Sequence, residues 1–215
     1  IFGGDPNVYW GFTGSTGGLD NRQEFCFSII PGLTSNDTEI CAGEAILFED
    51  DSYSALGDVV GWEWDFDNGV TSSDEAPGGI TFEDAGQYTV SQTIEDAEGC
   101  TATEDLTITV NPNPEADFSA NQACEGDATD FVDQSSVSIG SLADWDWDLG
   151  DGNTDFGNSI SATYTEAGTY DVQLVVGTNE GCIDSTTISV DVYEPPIADG
   201  AIESSSLDAT FSTNL

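Results

Sequence analysis

Apolar and polar side chains alternate along much of the chain. Tyr170, Val172, Leu174 and Val176 take every second position, as do Ile188, Val190 and Val192, and earlier Leu106, Ile108 and Val110. A period of two turns successive side chains to opposite faces, so these runs predict half-buried β-strands. Turn dipeptides (Asn-Gly, Asp-Gly, Glu-Gly, Ala-Gly) fall between them, and no helical periodicity with caps appears. The alternation is sharpest in DWDWDLGDGN, residues 144–153. On a strand it places Trp145 and Trp147 on one face and Asp144, Asp146 and Asp148 on the other. Asp151-Gly152 then reads as the turn, where an aspartate caps backbone N–H groups.

The same stretch has a twin. WDWDLGDG begins at Trp145 and WEWDFDNG at Trp62, 83 residues apart, the spacing of Cys124 and Cys41. AGTYDV from Ala167 matches AGQYTV from Ala85, and the EGC ending at Cys182 matches that ending at Cys100, both 82 apart. Motifs that share one offset, with a one-residue gap, mark an internal repeat. A unit of roughly 80 residues with about seven short strands predicts an all-β chain of tandem immunoglobulin-like sandwiches in a rod. Proline-rich NPNPEA (111–116) and YEPPIA (193–198) read as stiff spacers between units. The expected division is 31–111 for the first unit, 112–194 for the second and 195–215 for the start of a third, with residues 1–30 unlike any of them.

Charge narrows the chemistry. The 215 residues carry 42 Asp and Glu against one cationic side chain, Arg22, with no His and no Lys, for a formal charge of −41. Triads that need a His and Schiff bases that need a Lys are excluded, which leaves carboxylate chemistry alone. No basic patch can neutralise phosphates, so neither nucleic acid nor an anionic membrane surface is an expected partner. No apolar run reaches 18 residues, so no membrane insertion is expected, and no secretion signal opens the chain. Residue 1 falls inside what reads as a strand, so a piece of a longer protein is expected. Five Trp, eleven Phe and six Tyr in a strand pattern separate the chain from disordered acidic tails.

The W-x-W-D-F/L-G-D-G strand and turn, followed by A-G-x-Y-x-V, resemble PKD (polycystic kidney disease) domains. The resemblance covers residues 33–194 as two copies, and the first departs from it at Asp67-Asn68, where Gly-Asp is expected. The placement of the cysteines is similar to that in PKD domains of large bacterial surface adhesins. Ahead of the repeats, VYWGFTGSTGGLDNRQEFCFSI resembles the last two strands of a legume-type (L-type) lectin domain. That resemblance implies sugar contact through the backbone amides of Gly17, Gly18 and Leu19. The plainer reading of the same glycines is a tight turn.

Five cysteines, Cys26, Cys41, Cys100, Cys124 and Cys182, lack the CxxC spacing of metal or redox motifs and suggest disulfides in an oxidising compartment. Two pairings are open. Within units, Cys41–Cys100 and Cys124–Cys182 leave Cys26 odd. Between units, Cys41–Cys182 and Cys26–Cys100 leave Cys124 for the third unit. In the topology that the resemblance implies, Cys124 and Cys182 lie at opposite ends of a sandwich. A seven-residue strand separates such ends by roughly 23 Å, whereas a disulfide tolerates about 4.4–6.8 Å between Cα atoms. That favours pairing between units.

The acids beside the tryptophans raise two further readings. Counted from Asp144, an EF-hand would need Gly at position 149 and Glu at 155, where Leu149 and Asp155 stand, so that motif fails. A different calcium site remains a candidate, using Asp148 or Asp151 in the second unit and Asp65 or Asp67 in the first. A glycosidase pair needs one buried carboxyl of raised pKa, which acids on an outer strand face do not supply. Asn36-Asp37-Thr38 fits an N-glycosylation sequon, and Asp184-Ser185-Thr186 resembles a bacterial O-glycosylation site. The reading is a non-catalytic, structural and adhesive stalk of an extracellular bacterial surface protein. Its candidate partners are a glycan and neighbouring copies of itself, and calcium is its one candidate cofactor. The alternatives are an accessory PKD region of a secreted hydrolase and a calcium-stiffened spacer without a ligand.

Overall fold

The structure, a computed structural model, describes residues 29–55 and 57–196. The first unit contains β1 (Ile29–Ile30), β2 (Leu33–Ser35), β3 (Glu39–Cys41), β4 (Ala45–Asp50), β5 (Tyr53–Ser54), β6 (Val59–Asp65), β7 (Thr71–Ser72), β8 (Gly79–Thr81), β9 (Gly86–Asp96) and β10 (Thr101–Asn111). The second contains β11 (Phe118–Ala120), β12 (Ala123–Cys124), β13 (Ala128–Asp133), β14 (Leu142–Asp148), β15 (Thr154–Phe156), β16 (Ser159–Thr163), β17 (Gly168–Thr178) and β18 (Ile183–Tyr193). Every described element is a strand. The alternating runs become the two long hairpins β9–β10 and β17–β18, with 11 residues per strand. More segments form than the seven expected, because short pieces at the sheet edges pair separately.

Each unit packs a three-stranded sheet on a five-stranded one. The orders are β2-β4-β8 on β3-β10-β9-β6-β7 in the first and β11-β13-β16 on β12-β18-β17-β14-β15 in the second. The chain enters in one sheet and crosses to the other. Thus β2 pairs antiparallel with β4, but β3 pairs parallel with β10, and β11 and β12 repeat this with β13 and β18. That crossing sets Cys41 beside Asn111 at the C-terminal end of the first sandwich, and Cys124 beside Tyr193 at the same end of the second.

The two units have separate cores. Ile46, Phe48, Trp64, Phe66, Phe82, Val90 and Ile108 fill the first, and Phe131, Trp147, Leu149, Tyr164, Val172 and Leu174 the second. The paired tryptophans divide the work. Trp64 and Trp147 are fully buried and donate their indole N–H groups to the carbonyls of Asp74 and Gly157. Trp62 and Trp145 lie half-buried on the same face. Each donates at 2.7 Å to an aspartate in the opposite sheet, Asp50 and Asp133. The first tryptophan of each pair therefore ties the two sheets together, and the second fills the space between them. Burial pushes the Asp50 carboxyl up. Hydrogen bonds from Ser52, Trp62 and Gln92 outweigh it and hold the group below its ordinary value.

The second repeated motif is a brace at the base of the long hairpin. The hydroxyls of Tyr88 and Tyr170 each donate at 2.8 Å to the carbonyl four residues back, Asp84 and Glu166. This matches the tyrosine corner of immunoglobulin-like sandwiches. Tyr170 packs on Tyr164, whose hydroxyl donates to the Leu149 carbonyl. Burial, then the negative charge of Asp151, pushes the Tyr164 hydroxyl up to about 12.

Candidate functional site

The chemistry of the chain converges at the joint between the sandwiches. Cys41, at the end of β3, is bonded to Cys182, 141 residues later, with their Cα atoms 5.6 Å apart. Cys182 is delivered by the turn between β17 and β18. There the Thr178 hydroxyl accepts the Cys182 N–H, the Thr178 N–H donates to the Cys182 carbonyl, and Gly181 takes a φ of 86°. A left-handed φ of this kind favours glycine, which accounts for the repeated Glu-Gly-Cys. The observed bond is the pairing between units, and it removes Cys41 and Cys182 from the within-unit scheme. Cys124 is a free, half-buried thiol. Cys100 is itself disulfide-bonded. Cys26, its expected partner, lies outside the described residues.

The linker is fastened on both sides of the joint. Asn113 Nδ2 donates to the Ala42 carbonyl of the first sandwich at 2.9 Å. Three residues on, the Ala116 N–H donates to Asp184 Oδ2 of the second, also at 2.9 Å. Between them Pro114 is buried, and Glu115 pairs with Ser136. A proline-rich segment is already stiff, and these contacts fix it further.

The corresponding turn of the first sandwich uses a carboxylate in place of the Thr178 hydroxyl. Asp96 Oδ1 accepts the N–H groups of Glu98 and Cys100, and Oδ2 accepts the Ser54 hydroxyl. The Cys100 amide is the chief reason that Asp96 sits below its ordinary value of 3.8. Burial opposes the shift, and Ser54, Glu98 and Gly99 add to it. A carboxylate with a depressed folded-state pKa contributes stability that is present above the unfolded value and lost as pH falls through the folded one. Asp96 should therefore add to the first sandwich's melting temperature a component that fades as pH drops from about 5 toward 2. Asp96→Asn should lower its melting temperature at pH 7 and flatten that slope, which calorimetry across the range would read.

The expected calcium ligands lie at two strand ends, Asp65 of β6 and Asp148 of β14, and in the turns that follow, Asp67 and Asp151. Asp65 Oδ1 accepts the Asp67 N–H, and Asp67 Oδ2 accepts the Thr89 N–H at 3.1 Å. Asp148 Oδ1 accepts the Gly150 N–H, and Asp151 takes both the backbone and the side-chain N–H of Asn153. Each of these carboxylates thus caps backbone amides. Among the described residues no group of three or more His, Cys, Asp or Glu is arranged to hold a metal ion. Gly17, Gly18 and Leu19, the expected sugar contacts, lie outside the described residues. Of the two modification motifs, Asn36 is exposed but its Oδ1 accepts the Leu47 N–H. Asp184 serves the linker, and Ser185 next to it is exposed.

Several working residues were missed in the sequence. Asp50 and Asp133 were legible in principle, because Asp50-Asp51-Ser52 and Asp133-Gln134-Ser135 repeat at the 83-residue offset. In both, the serine N–H donates to the aspartate. The fastening roles of Asn113 and Asp184 have no signal in the sequence.

Two stacked sandwiches of immunoglobulin type, each with a Trp-x-Trp clamp and cross-linked at their joint, define a tandem extracellular-type module. A sequence model of the PKD domain matches residues 31–110 and again 111–192, and the chain belongs to that family. It is 33% identical over 149 residues to the pre-pro-metalloprotease PrtV of Vibrio cholerae serotype O1. That match covers 69% of this chain, and the chain spans 16% of the length of that relative. Among solved structures, the PKD1 domain of Vibrio anguillarum Epp is 29% identical, covering 40% of this chain and 99% of that one, with a TM-score of 0.38. The PKD1 domain of V. cholerae PrtV is 31% identical, covering 38% and 98%, with a TM-score of 0.35.

Proposed function

We propose that this chain is a non-catalytic accessory region of a secreted protein, in which two PKD sandwiches form one stiff spacer locked by a disulfide at the joint. The observation that carries this reading is the Cys41–Cys182 bond between separately cored units. Such a bond persists only where the surroundings are oxidising, which supports an extracellular location. Similarity to a pre-pro-metalloprotease supports an accessory region over an adhesive stalk. The lectin half of the adhesive reading rests on residues outside those described. No helix among the described residues is long and apolar enough to cross a membrane.

A spacer works by fixing distance. In the chain-entropy treatment, closing a loop of 141 residues contributes about 5 kcal/mol. Here the same bond also restricts rotation about the linker. Small-angle scattering of the oxidised chain should fit a single arrangement of two sandwiches. The Cys41→Ser/Cys182→Ser double variant should give a broader distribution of maximum dimensions, with both sandwiches still folded. Indistinguishable curves would mean that the bond does not set the joint, and the spacer reading would lose its support.

A further inference from the structure

We propose that Cys124 is the acceptor half of a second staple: it forms a disulfide with the turn cysteine of a further sandwich stacked in series on the C-terminal end of the second unit. The inference deepens the spacer reading and rests on it. Cys41, which occupies the same position in the first sandwich, is disulfide-bonded.

Cys41 and Cys124 stand in one backbone frame repeated twice. Each is the last residue of a short strand paired parallel to the end of the long C-terminal strand, opposite Asn111 and Tyr193. The next N–H, of Ala42 or Glu125, donates to that partner's carbonyl at 2.9 Å in both. The glycine after it, Gly43 or Gly126, donates at 2.8 Å to Phe82 or Tyr164, with φ of 83° and 82°. Glu44 and Asp127 then donate back to the cysteine carbonyl at 3.1 and 3.0 Å. In this frame the first cysteine holds the turn cysteine of the following sandwich. The second is presented in the same way, half-buried and free.

The seat around it repeats as well. From Asn111 to Pro114 is three residues, as from Tyr193 to Pro196, so a following unit would leave the second sandwich with the same length of spacer. The chain's own turn cysteines cannot serve. Cys182 is taken by Cys41, Cys100 is disulfide-bonded, and Cys182 lies at the far end of the second sandwich from Cys124. The 11 residues of β18 separate those ends by roughly 35 Å. The partner must therefore come from another sandwich that carries a cysteine after its long hairpin turn.

The reaction is two thiol–disulfide exchanges with a glutathione-type disulfide as oxidant. The Cys124 thiolate attacks oxidised glutathione and expels one glutathione thiolate. The incoming cysteine thiolate then attacks the mixed disulfide at the Cys124 sulfur and expels the second. Two protein thiols are oxidised, and one glutathione disulfide is reduced to two thiols.

The test extends the full chain. Residues 115–193 are placed a second time directly after Pro196, which keeps the spacer length and adds one Cys124-type and one Cys182-type cysteine. After equilibration in a glutathione redox buffer, unreduced peptide mapping should find Cys124 bonded to the added Cys182 copy, with Cys124 lost from the alkylated pool. In the same chain with Cys124→Ser, the added turn cysteine should become alkylatable. Cys124 still alkylated while Cys41–Cys182 has formed would overturn this inference and leave the spacer reading standing. Failure of Cys41–Cys182 itself would overturn both. A second measurement needs no added sandwich: in the native chain, oxidised glutathione should form a mixed disulfide at Cys124. An inert Cys124 there would also overturn the proposal.

Discussion

Trp147→Ala should strongly destabilise the second sandwich and leave the first intact. Trp147 is 1% exposed, and its ring meets Phe118 edge-on at 5.0 Å and Phe131 at 5.7 Å. Truncating a buried Trp to alanine costs about 3–5 kcal/mol, and leaving the Gly157 carbonyl without its indole donor adds to that. A single domain of this size has about 5–15 kcal/mol in all. The two cores share no residue, so the loss should stay in one unit. Calorimetry should show one transition lost or shifted far down, while that of the Trp64 core persists. Equal shifts in both would mean that the sandwiches fold as one cooperative block.

The second large effect is at Gly150, where the two repeats solve one problem differently. Gly150 has a φ of 73°, and a Cβ there would stand 2.6 Å from the Asp171 carbonyl oxygen and 3.0 Å from its nitrogen. The same position in the first unit is Asp67, at a φ of 59°. Asp67 carries a side chain where the second unit tolerates none, and it accepts the N–H of Thr89, the counterpart of Asp171. Gly150→Ala should therefore combine a left-handed backbone cost of about 1–2 kcal/mol with a backbone clash. It should lower the second sandwich's stability by at least about 2 kcal/mol. Asp67→Gly should be close to neutral. It relieves a similar backbone cost and gives up a hydrogen bond of about 0.5–1.5 kcal/mol. Chemical denaturation of both variants would read the contrast, and equal destabilisation would contradict it.

The parts of the fold legible in the sequence were those written as local periodicity. The alternation in Tyr170–Val176 and Ile188–Val192 gave the long hairpin, and Trp62 and Trp145 gave the repeat. The inward face of the tryptophans was also readable. Their division of labour was not, because Asp50 and Asp133 are two among 42 acids until the fold brings them under an indole. The mismatch at Asp67-Asn68 was visible as a departure, but its reason needed a backbone angle. The joint was half legible. Counting cysteines left two pairings, the opposite ends of a sandwich favoured the one between units, and the crossing of the entering strand from one sheet to the other fixes where Cys41 points. Asn113 and Asp184 fasten the linker through contacts 71 and 68 residues apart in sequence, beyond any local pattern.

Disulfide connectivity distinguishes a stapled joint from two sandwiches each closed on itself. With Arg22 the only cationic side chain, trypsin is of little use, and the unreduced chain should be cut at its acidic residues instead. Mass spectrometry should then find the Cys41 peptide linked to the Cys182 peptide, with Cys124 recovered as an alkylated thiol. A Cys41 peptide linked to Cys100, or Cys124 linked to Cys182, would close each sandwich on itself and contradict the stapled joint.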